Sequence, residues 1–349
     1  MKILTIVGAR PQFIKAATVS RILRLEDSRE EIMVHTGQHF DADMSDIFFA
    51  ELDMPKPSYA LNIHGGGHGQ MTGRMLSEIE SIIEIEKPSV VLVYGDTNST
   101  LAGAITASKL HVPVAHVEAG LRSFNRKMPE EINRVVTDHV SEILFCPTTT
   151  AVANLNNEGI SANVHNIGDV MYDASLFATQ RIDQRQSILD KLALAPNDYV
   201  LCTMHRAENT NDKKRLGMLL KLLQEIASDC CVLFPIHPRT RKAMEEFGYS
   251  PRGITVVDPV GYLEMNVLLA GAKTVYTDSG GLQKEAYFHR VPCVTLRDET
   301  EWIETIECGW NRLWNQEEYA ERKEIKEYGD GKSAQKIVEI LDQWDIDRQ

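Results

Sequence analysis

The chain has 349 residues, of which 43% are hydrophobic and 25% are charged, and its formal net charge is −13 at pH 7. This length exceeds what one hydrophobic core usually holds, so we expect two domains, and the composition is that of a globular protein. The acidic balance argues against a general nucleic-acid or membrane-surface binder, because both need a basic face. An anionic substrate would therefore need a locally basic pocket.

Strands and helices alternate through the first half of the chain. Predicted strands lie at 2–7, 31–36, 89–94, 112–117, 143–146 and 164–167. Helical spacing is found at 12–24, 71–85, 100–110 and 150–158, with a further helix near 44–52. The strands are apolar without alternation, which is typical of a parallel sheet covered by helices on both faces.

The same alternation starts again after Gly168-Asp169, where we place the domain crossing. Residues 178–197 are polar and are predicted to be largely helical. Strands follow at 199–203, 232–236, 254–257, 274–277 and 293–296, with helices at 213–228 and 333–344. The pattern predicts an α/β fold with two doubly wound parallel-sheet domains in tandem.

The cysteines and the apolar segments indicate a reducing compartment. The chain has six cysteines and no CxxC pair, which predicts free thiols, and a disulfide between the neighbours Cys230 and Cys231 is not favoured. The apolar run from Ile3 to Val7 is too short for a signal peptide and meets Arg10 at once. Since no segment approaches the length of a membrane span, we expect a soluble cytoplasmic protein.

Chemically capable side chains fall at the predicted strand ends. Ligands of open parallel sheets bind outside the carboxyl ends of the strands. The side chains at those positions are Arg10, Asp96 and Glu118 in the first half, and His205, His237 and Ser279 in the second. Two such rims are expected to face each other across one cleft.

Residues 116–134 set acids and cations around one loop. Glu118 stands where the strand 112–117 ends, and Pro129 opens a helix with Glu130 and Glu131 in its first turn. The basic residues of this stretch are Arg122, Arg126, Lys127 and Arg134. Acids suit proton transfer and cations suit a phosphorylated ligand, although a merely solvated charged loop has the same composition.

A second candidate site spans residues 278–285, DSGGLQKE. Ser279, Gly280 and Gly281 join a strand to a helix, and free backbone N–H groups at a helix start suit a pyrophosphate. Glu285, one turn further, is placed to accept hydrogen bonds from ribose hydroxyls. An N-cap with a tight turn is the structural alternative.

Commoner nucleotide and metal signatures are not supported. No GxGxxG follows the first strand, which argues against a dinucleotide cofactor, and Gly331-Lys332-Ser333 lacks the first glycine of a Walker A loop. The pairs His35/His39 and His64/His68 have i,i+4 spacing outside helical contexts, so we expect no metal. His205, beside Arg206 and Glu208, is favoured for phosphate binding or proton transfer over a satisfied polar loop.

Several segments in order carry a family resemblance. They are GARPQFIK (8–15), GDTNST (95–100), HVEAGLRS with MPEEINR, MHRAEN, PIHPRT and DSGGLQKEA. The chain resembles the non-hydrolysing UDP-N-acetylglucosamine 2-epimerases from Gly8 to Gly331. This implies two Rossmann-like domains in a GT-B arrangement, 1–168 and 169–332, with a C-terminal helix (333–349) crossing back to the first. It also implies a cytoplasmic homodimer acting on a UDP-sugar, without metal, cofactor, nucleic acid or membrane.

A finer resemblance concerns the substrate. The segments GARPQFIK, 67–74, GYLEM (261–265) and RDETEW (297–302) resemble a branch acting on UDP-2,3-diacetamido-2,3-dideoxy-glucuronate. That branch makes the manno isomer for surface polysaccharide, such as the O-antigen of lipopolysaccharide. Relatives acting on UDP-N-acetylglucosamine usually have GTRPEAIK, a phenylalanine near Met265 and an arginine in place of Trp302. A UDP-N-acetylglucosamine epimerase, a GT-B glycosyltransferase and a catalytically silent UDP-sugar sensor are the alternatives.

The family mechanism removes the C2 proton as UDP leaves C1, giving a glycal to which UDP re-adds. By resemblance the catalytic set is Asp96, Glu118, Glu130 and His205, with the face that each serves left open. Arg10, Lys15 and Arg134 would neutralise charge, while Ser279, Gly280, Gly281 and Glu285 would hold pyrophosphate and ribose. Some family members have a regulatory substrate site near residues that match Gln38, His39 and His237.

Overall fold

The computed structural model describes residues 1–38, 52–180 and 187–348. Contacts divide the chain into two units. One comprises Met1–Ala174 and Lys326–Gln349, and the other comprises Ser175–Ile325. The functional domain bounds inferred from the sequence, 1–168, 169–332 and 333–349, stay predictions. In the described part of the chain no helix is both long and apolar enough to cross a membrane.

The first unit is built on a seven-stranded sheet in which every strand pair is parallel. Its strands are β1 Lys2–Val7, β2 Glu30–His35, β3 Tyr59–Ala60, β4 Val90–Tyr94, β5 Val114–Val117, β6 Ile143–Cys146 and β7 Val164–Asn166. Their order, β3-β2-β1-β4-β5-β6-β7, reverses between β1 and β4. Such a reversal opens a crevice at the carboxyl ends of the two strands, where ligands of doubly wound sheets bind.

Helices connect these strands and cover the sheet. They are α1 Arg10–Leu23, α2 His68–Glu86, α3 Asn98–Lys109, α4 Pro129–Val140, α5 Thr149–Asn157 and α6 Val170–Gln180. Ile6, Val91 and Val93 of the sheet pack with Met75 and Ile79 of α2 in one buried cluster. Burying each such side chain contributes about 1.5–3 kcal/mol, which explains why the central strands are apolar on both faces.

The second unit repeats the design with six parallel strands. These are β8 Tyr199–Thr203, β9 Cys231–Pro235, β10 Thr255–Val257, β11 Thr274–Thr277, β12 Cys293–Thr295 and β13 Asn311–Leu313, in the order β10-β9-β8-β11-β12-β13. Its helices are α7 Ser187–Lys191, α8 Ala207–Thr210, α9 Lys213–Ile226, α10 Pro238–Phe247, α11 Tyr262–Ala270, α12 Gly280–Phe288 and α13 Ile303–Glu307. The reversal between β8 and β11 places a second crevice at their carboxyl ends.

After a 3₁₀ turn at Lys326–Tyr328, the last helix, α14 Ser333–Arg348, belongs to the first unit. It packs against α1. Its Asp342 accepts hydrogen bonds at 3.0 and 2.6 Å from Arg29, and the Ser333 hydroxyl donates to the Ile167 carbonyl at 2.9 Å.

Most strands and helices agree with the sequence expectations, and 2–7, 143–146, 199–203 and 274–277 agree residue for residue. The expectation for 178–197 is wrong in part, since α7 ends at Lys191 and Ala193 and Asn197 adopt positive φ, which ends a helix. The Asn197 amide instead donates to the Gly271 carbonyl at 2.8 Å. The short strands β3 and β13 were not predicted, and the expected helix near 44–52 lies essentially outside the described residues.

Candidate active site

Glu118 is the acid at the carboxyl end of β5, and its partner is Lys15 of α1. Lys15 Nζ and Glu118 Oε2 form a short ion pair in which both side chains are largely buried. Glu118 has a φ of +74°, which turns the chain sharply out of the strand. A non-glycine residue in this conformation is uncommon and is found preferentially at functional sites.

Asp96 is the acid that follows β4, and its partner is Arg134 of α4. The two side chains approach to 2.6 Å. Burial raises the pKa of Asp96 above its ordinary value, Glu118 acts in the same direction, and the cations Arg134 and Lys15 oppose both. A carboxyl group whose pKa is raised by burial and a neighbouring acid takes up and releases its proton at a higher pH than an ordinary carboxyl group does.

The two acids are close enough for the charge of Glu118 to act on Asp96. Gly95, the residue directly before Asp96, lies against the Glu118 carboxylate. A Cβ added to Gly95 would lie 3.1 Å from Glu118 Oε2 and 3.6 Å from Lys15 Nζ. Gly95 also has a φ of +62°. Both the closeness and the backbone conformation therefore require glycine immediately before Asp96.

Glu131, to which the sequence assigns no role beyond the charged loop, anchors that loop. Its buried carboxylate accepts hydrogen bonds from the Ser123 amide and hydroxyl at 2.9 Å, the Phe124 amide at 2.8 Å and Arg134 at 2.9 Å. Burial acts to raise the pKa of Glu131, but these donors together hold it below its ordinary value. Glu130, its neighbour, is exposed and makes no hydrogen bond or ion pair with any described residue.

A buried network lies behind the two acids. His116, in the middle of β5, has Nδ1 2.7 Å from Asp138 Oδ1 and Nε2 2.7 Å from the Gly95 carbonyl oxygen. Asp138 also accepts from the Gly120 amide at 3.0 Å and from Arg122 at 2.7 Å. The network thus connects the turns after β4 and β5 to α4.

In the first unit the remaining predicted residue is Arg10, the first residue of α1. The turn that precedes it is held by Gln12, whose Oε1 accepts from the Gly8 and Ala9 amides at 2.8 and 3.1 Å. Gln12 Nε2 in turn donates to the Tyr94 carbonyl at 2.7 Å. The start of α1 and the end of β4 are therefore fixed to each other at the switch point of the sheet.

In the second unit, His205 follows β8 and is oriented by the fully buried Asp278. The Asp278 carboxylate accepts from the His205 and Arg206 amides and from the Asn209 amide group, and its Oδ1 lies 3.4 Å from His205 Nδ1. Burial lowers the pKa of His205, the Asp278 charge opposes this, and His237, with its ring centroid 5.5 Å away, adds to the lowering.

Ser279, Gly280 and Gly281 form the start of α12 after β11. The Ser279 hydroxyl accepts from the Leu282 amide at 3.4 Å, so it is an N-cap. Gly280 is tightly enclosed, since an added Cβ would lie 2.3 Å from Glu301 Oε1 and 3.2 Å from Trp302 Nε1. Glu285 lies one turn into the helix and is buried.

The structure thus brings Lys15, Asp96, Glu118 and Arg134 together, and among the described residues Glu130 forms no hydrogen bond or ion pair with them. Glu131, His116, Asp138 and Asp278 were not predicted as functional. For Glu131 and Asp138 the available signal was spacing, because both recur with Arg134 on one face of α4. For Asp278 it was the position directly after β11. His39 lies outside the described residues, while Gln38 accepts from the Ser99 amide and hydroxyl at 3.0 and 2.8 Å.

Among the described residues no three His, Cys, Asp or Glu side chains form a group that could hold a metal.

The chain matches a family model over residues 22–342, described as UDP-N-acetylglucosamine 2-epimerase. The chain belongs to the UDP-N-acetylglucosamine 2-epimerase family. It is therefore an isomerase, and the family resemblance and the GT-B-like α/β fold class predicted from the sequence are confirmed.

Two relatives and one solved structure illustrate what this epimerase is similar to. A Pseudomonas aeruginosa UDP-2,3-diacetamido-2,3-dideoxy-D-glucuronate 2-epimerase is 58% identical, with 90% of this chain and 88% of that protein covered. A Methanococcus maripaludis UDP-N-acetylglucosamine 2-epimerase homolog is 53% identical, with 98% and 99% covered. The crystal structure of the Methanocaldococcus jannaschii UDP-GlcNAc 2-epimerase in complex with UDP-GlcNAc and UDP is 44% identical, with a TM-score of 0.87 and 98% and 100% of the two chains covered.

Proposed function

We propose that the enzyme interconverts UDP-2,3-diacetamido-2,3-dideoxy-D-glucuronate and its manno isomer by epimerisation at C2. The observation that carries the epimerisation at C2 is the pair of adjacent acids at the ends of β4 and β5, each with its own cation: Asp96 with Arg134, and Glu118 with Lys15. Inversion at C2 needs proton transfer on both faces of the sugar, and so at least two titratable groups close to each other.

In the proposed reaction a base takes the proton from C2 while the bond between C1 and the UDP oxygen breaks. The electron pair of the C2–H bond forms the C1=C2 double bond of a glycal, and UDP carries away the charge. UDP then adds back to C1 as a proton is delivered to the opposite face of C2. Asp96, Glu118, Glu130 and His205 are the proposed catalytic residues.

A leaving UDP needs positive charge and N–H donors where its charge develops. In the first unit we assign this role to Arg10, Lys15 and Arg134. In the second unit we assign the pyrophosphate to Ser279, Gly280 and Gly281 at the start of α12, and the ribose hydroxyls to Glu285. No metal or cofactor is needed, because the acids and cations supply both proton transfer and charge stabilisation.

The 58% identical relative that is named for the diacetamido uronate supports the substrate. UDP-N-acetylglucosamine, giving UDP-N-acetylmannosamine, is the second candidate. It is favoured by the 44% identical structure in complex with UDP-GlcNAc and UDP. A GT-B glycosyltransferase is a remote third possibility, because it would need an acceptor and would not exchange hydrogen at C2.

The deciding experiment is proton NMR in D2O of each of the two UDP-sugars incubated separately with the enzyme. We expect deuterium at C2 and the manno isomer from the diacetamido uronate alone. The same result with UDP-N-acetylglucosamine alone would instead assign that substrate. No exchange with either sugar would contradict an epimerase and would direct the search to an acceptor.

We further propose that the enzyme works in the cytoplasm as a homodimer and supplies a sugar for surface polysaccharide such as lipopolysaccharide O-antigen. The net charge of −13 supports the absence of a nucleic-acid or membrane partner. Sedimentation equilibrium of the purified protein tests the dimer, because a mass of about one chain (39.3 kDa) would contradict it.

A further inference from the structure

His116 is a histidine without access to solvent, and both of its ring nitrogens face oxygen atoms. Its exposed fraction is 0%, as is that of the Asp138 side chain. The Nε2 partner is the main-chain carbonyl of Gly95, and the Nδ1 partner is the Asp138 carboxylate, each at 2.7 Å. Two distances this short at both nitrogens restrict where the protons are.

A carbonyl oxygen can only accept, so the Gly95 contact requires a proton on His116 Nε2. Asp138 is ionised: burial acts to raise its pKa, but hydrogen bonds and charges of His116 and Arg122 hold that pKa below its ordinary value, and its other oxygen, Oδ2, accepts from the Gly120 amide and the Arg122 guanidinium. An ionised carboxylate is also only an acceptor, so Nδ1 carries a proton as well. With both nitrogens protonated, the ring is an imidazolium.

The charges around His116 are balanced. Arg122 lies between Asp138 and Glu158, at 2.7 Å from each, so the network contains two cations and two carboxylates. A buried charge is tolerated when it is paired and hydrogen-bonded in this way. Breaking the pair by removing one partner would leave the other buried and uncompensated.

We propose that His116 is a positioning residue: as a buried imidazolium donating to Gly95 and Asp138, it fixes the turns that carry Asp96 and Glu118. The carbonyl that it holds belongs to the residue directly before Asp96, and Asp138 holds the amide of Gly120, two residues after Glu118. One side chain thereby ties together the two turns on which the proposed proton transfers depend.

The position of Gly95 explains why the hydrogen bond from His116 to its carbonyl matters. Its backbone has positive φ and lies against the Glu118 carboxylate, so rotation of the peptide between Gly95 and Asp96 would displace both acids. A misplacement of about 1 Å at a reacting group costs roughly 100-fold in rate. The kinetic effect of His116 rests on the proposed epimerase function, whereas its protonation does not.

The protonation is tested by ring ¹H–¹⁵N NMR of the wild-type protein labelled with ¹⁵N-histidine, at neutral pH. We expect one histidine with protons on both ring nitrogens, protected from exchange with solvent and absent from the spectrum of His116→Asn. A single protonated nitrogen at His116 would overturn the proposal.

The positioning role is tested with two variants that each keep one hydrogen bond. The amide of His116→Gln reaches towards the Nε2 position and can donate to Gly95, whereas that of His116→Asn lies near Nδ1 and can donate only to Asp138. We expect kcat to fall roughly 100-fold in His116→Asn, with partial rescue in His116→Gln and UDP affinity within about threefold of wild type in both. The matched control is His111→Asn, an exposed histidine with positive φ.

In a folded His116→Asn protein, wild-type kcat would overturn the proposal. Equal loss of kcat and UDP affinity in the folded variant would also overturn it, because His116 would then support the structure in general and not the position of the two acids. Wild-type kcat in His116→Gln would also overturn it, because an uncharged donor would then suffice. Where His116→Asn does not fold, His116→Gln and the wild-type spectrum decide. If the wild-type protein epimerises neither UDP-sugar, the proposed function fails, while the ring spectrum still decides the state of His116.

Discussion

The guanidinium of Arg134 lies 2.6 Å from the carboxylate of Asp96, so the acid that follows β4 is fixed by a cation on α4. The other terminal nitrogen of Arg134 donates to Glu131, which anchors the preceding loop. Burial raises the pKa of the Asp96 carboxyl group, and Arg134, which is far from it in the sequence, acts against that rise.

Arg134→Gln should move the acid limb of the pH–rate profile to higher pH. The pKa of Asp96 is raised by burial and lowered by Arg134, so removal of the cation raises it further. If Asp96 acts in its ionised form, activity is then lost at higher pH on acidification. The measurement is kcat/KM as a function of pH, with Arg134→Lys as the charge-retaining control. An acid limb that stays in place or moves down would contradict this.

Glu118→Gln should abolish turnover and leave UDP binding within a few fold of wild type. The amide cannot take up or deliver a proton, and such a group contributes about 10²–10⁴-fold to the rate. The checks are deuterium incorporation at C2 and calorimetric titration with UDP. Glu84→Gln, at an exposed position on α2, is the control. Turnover like that of the wild type would remove Glu118 from the catalytic set.

The neighbours Glu130 and Glu131 should respond oppositely to substitution by glutamine. Glu131→Gln removes the charge that accepts four hydrogen bonds at a 2% exposed side chain, so the free energy of unfolding should fall by about 2 kcal/mol. Glu130→Gln should leave stability within about 0.5 kcal/mol and lower kcat. Urea unfolding and kinetics of both variants are the measurements, and equal destabilisation would contradict the assignment.

The contribution of Glu131 to stability should also depend on pH. Its pKa in the folded protein is below the ordinary value, so its ionised form adds stability above the unfolded pKa. That stability is lost as the pH falls through the folded pKa. The difference in unfolding free energy between wild type and Glu131→Gln should therefore narrow on acidification.

Asp278→Asn and His237→Asn should shift the pKa of His205 in opposite directions. The Asp278 charge raises this pKa against the effect of burial, and His237 lowers it. Loss of Asp278 should thus lower the pKa of His205, and loss of His237 should raise it. NMR titration of the His205 ring measures both shifts. Shifts of the same sign would show that the variants act through a change of structure.

The sequence was sufficient for the parts of the fold that depend on continuous apolar runs. Strands such as Lys2–Val7 and Tyr199–Thr203 are buried on both faces. Their short length, their β-branched residues and a glycine or proline near one end distinguish them from buried helices. The two-residue strand Tyr59–Ala60 is too short to show an apolar run. It is a strand only because it pairs with Val34 and His35 of β2, which are distant in the sequence. The same reasoning applies to the loop after Lys191, where a backbone contact with Gly271 ends the helix.

For the candidate site, the sequence predicted where the acids lie in the fold but not which cation pairs with each acid. The strand ends predicted from the sequence place Asp96 and Glu118 where the structure has them, just after β4 and β5. These positions do not assign Lys15 to Glu118, since 103 residues separate the two. Nor does a charged pair in a first helical turn reveal which of Glu130 and Glu131 faces the loop. Such pairings appear only when helices and strands are packed.

The return of α14 to the first unit affects the order of folding during synthesis. Arg29 of the N-terminal part finds Asp342 only after more than three hundred further residues have been made. The ribosome thus releases the whole of the second unit before the first can acquire its final helix. The hydrogen bond from Ser333, at the start of α14, to the Ile167 carbonyl also forms only at this late stage. A shortened chain lacking these last residues would leave the apolar face of α1 uncovered, and proteolysis would then begin at the opposite end of the chain from the truncation.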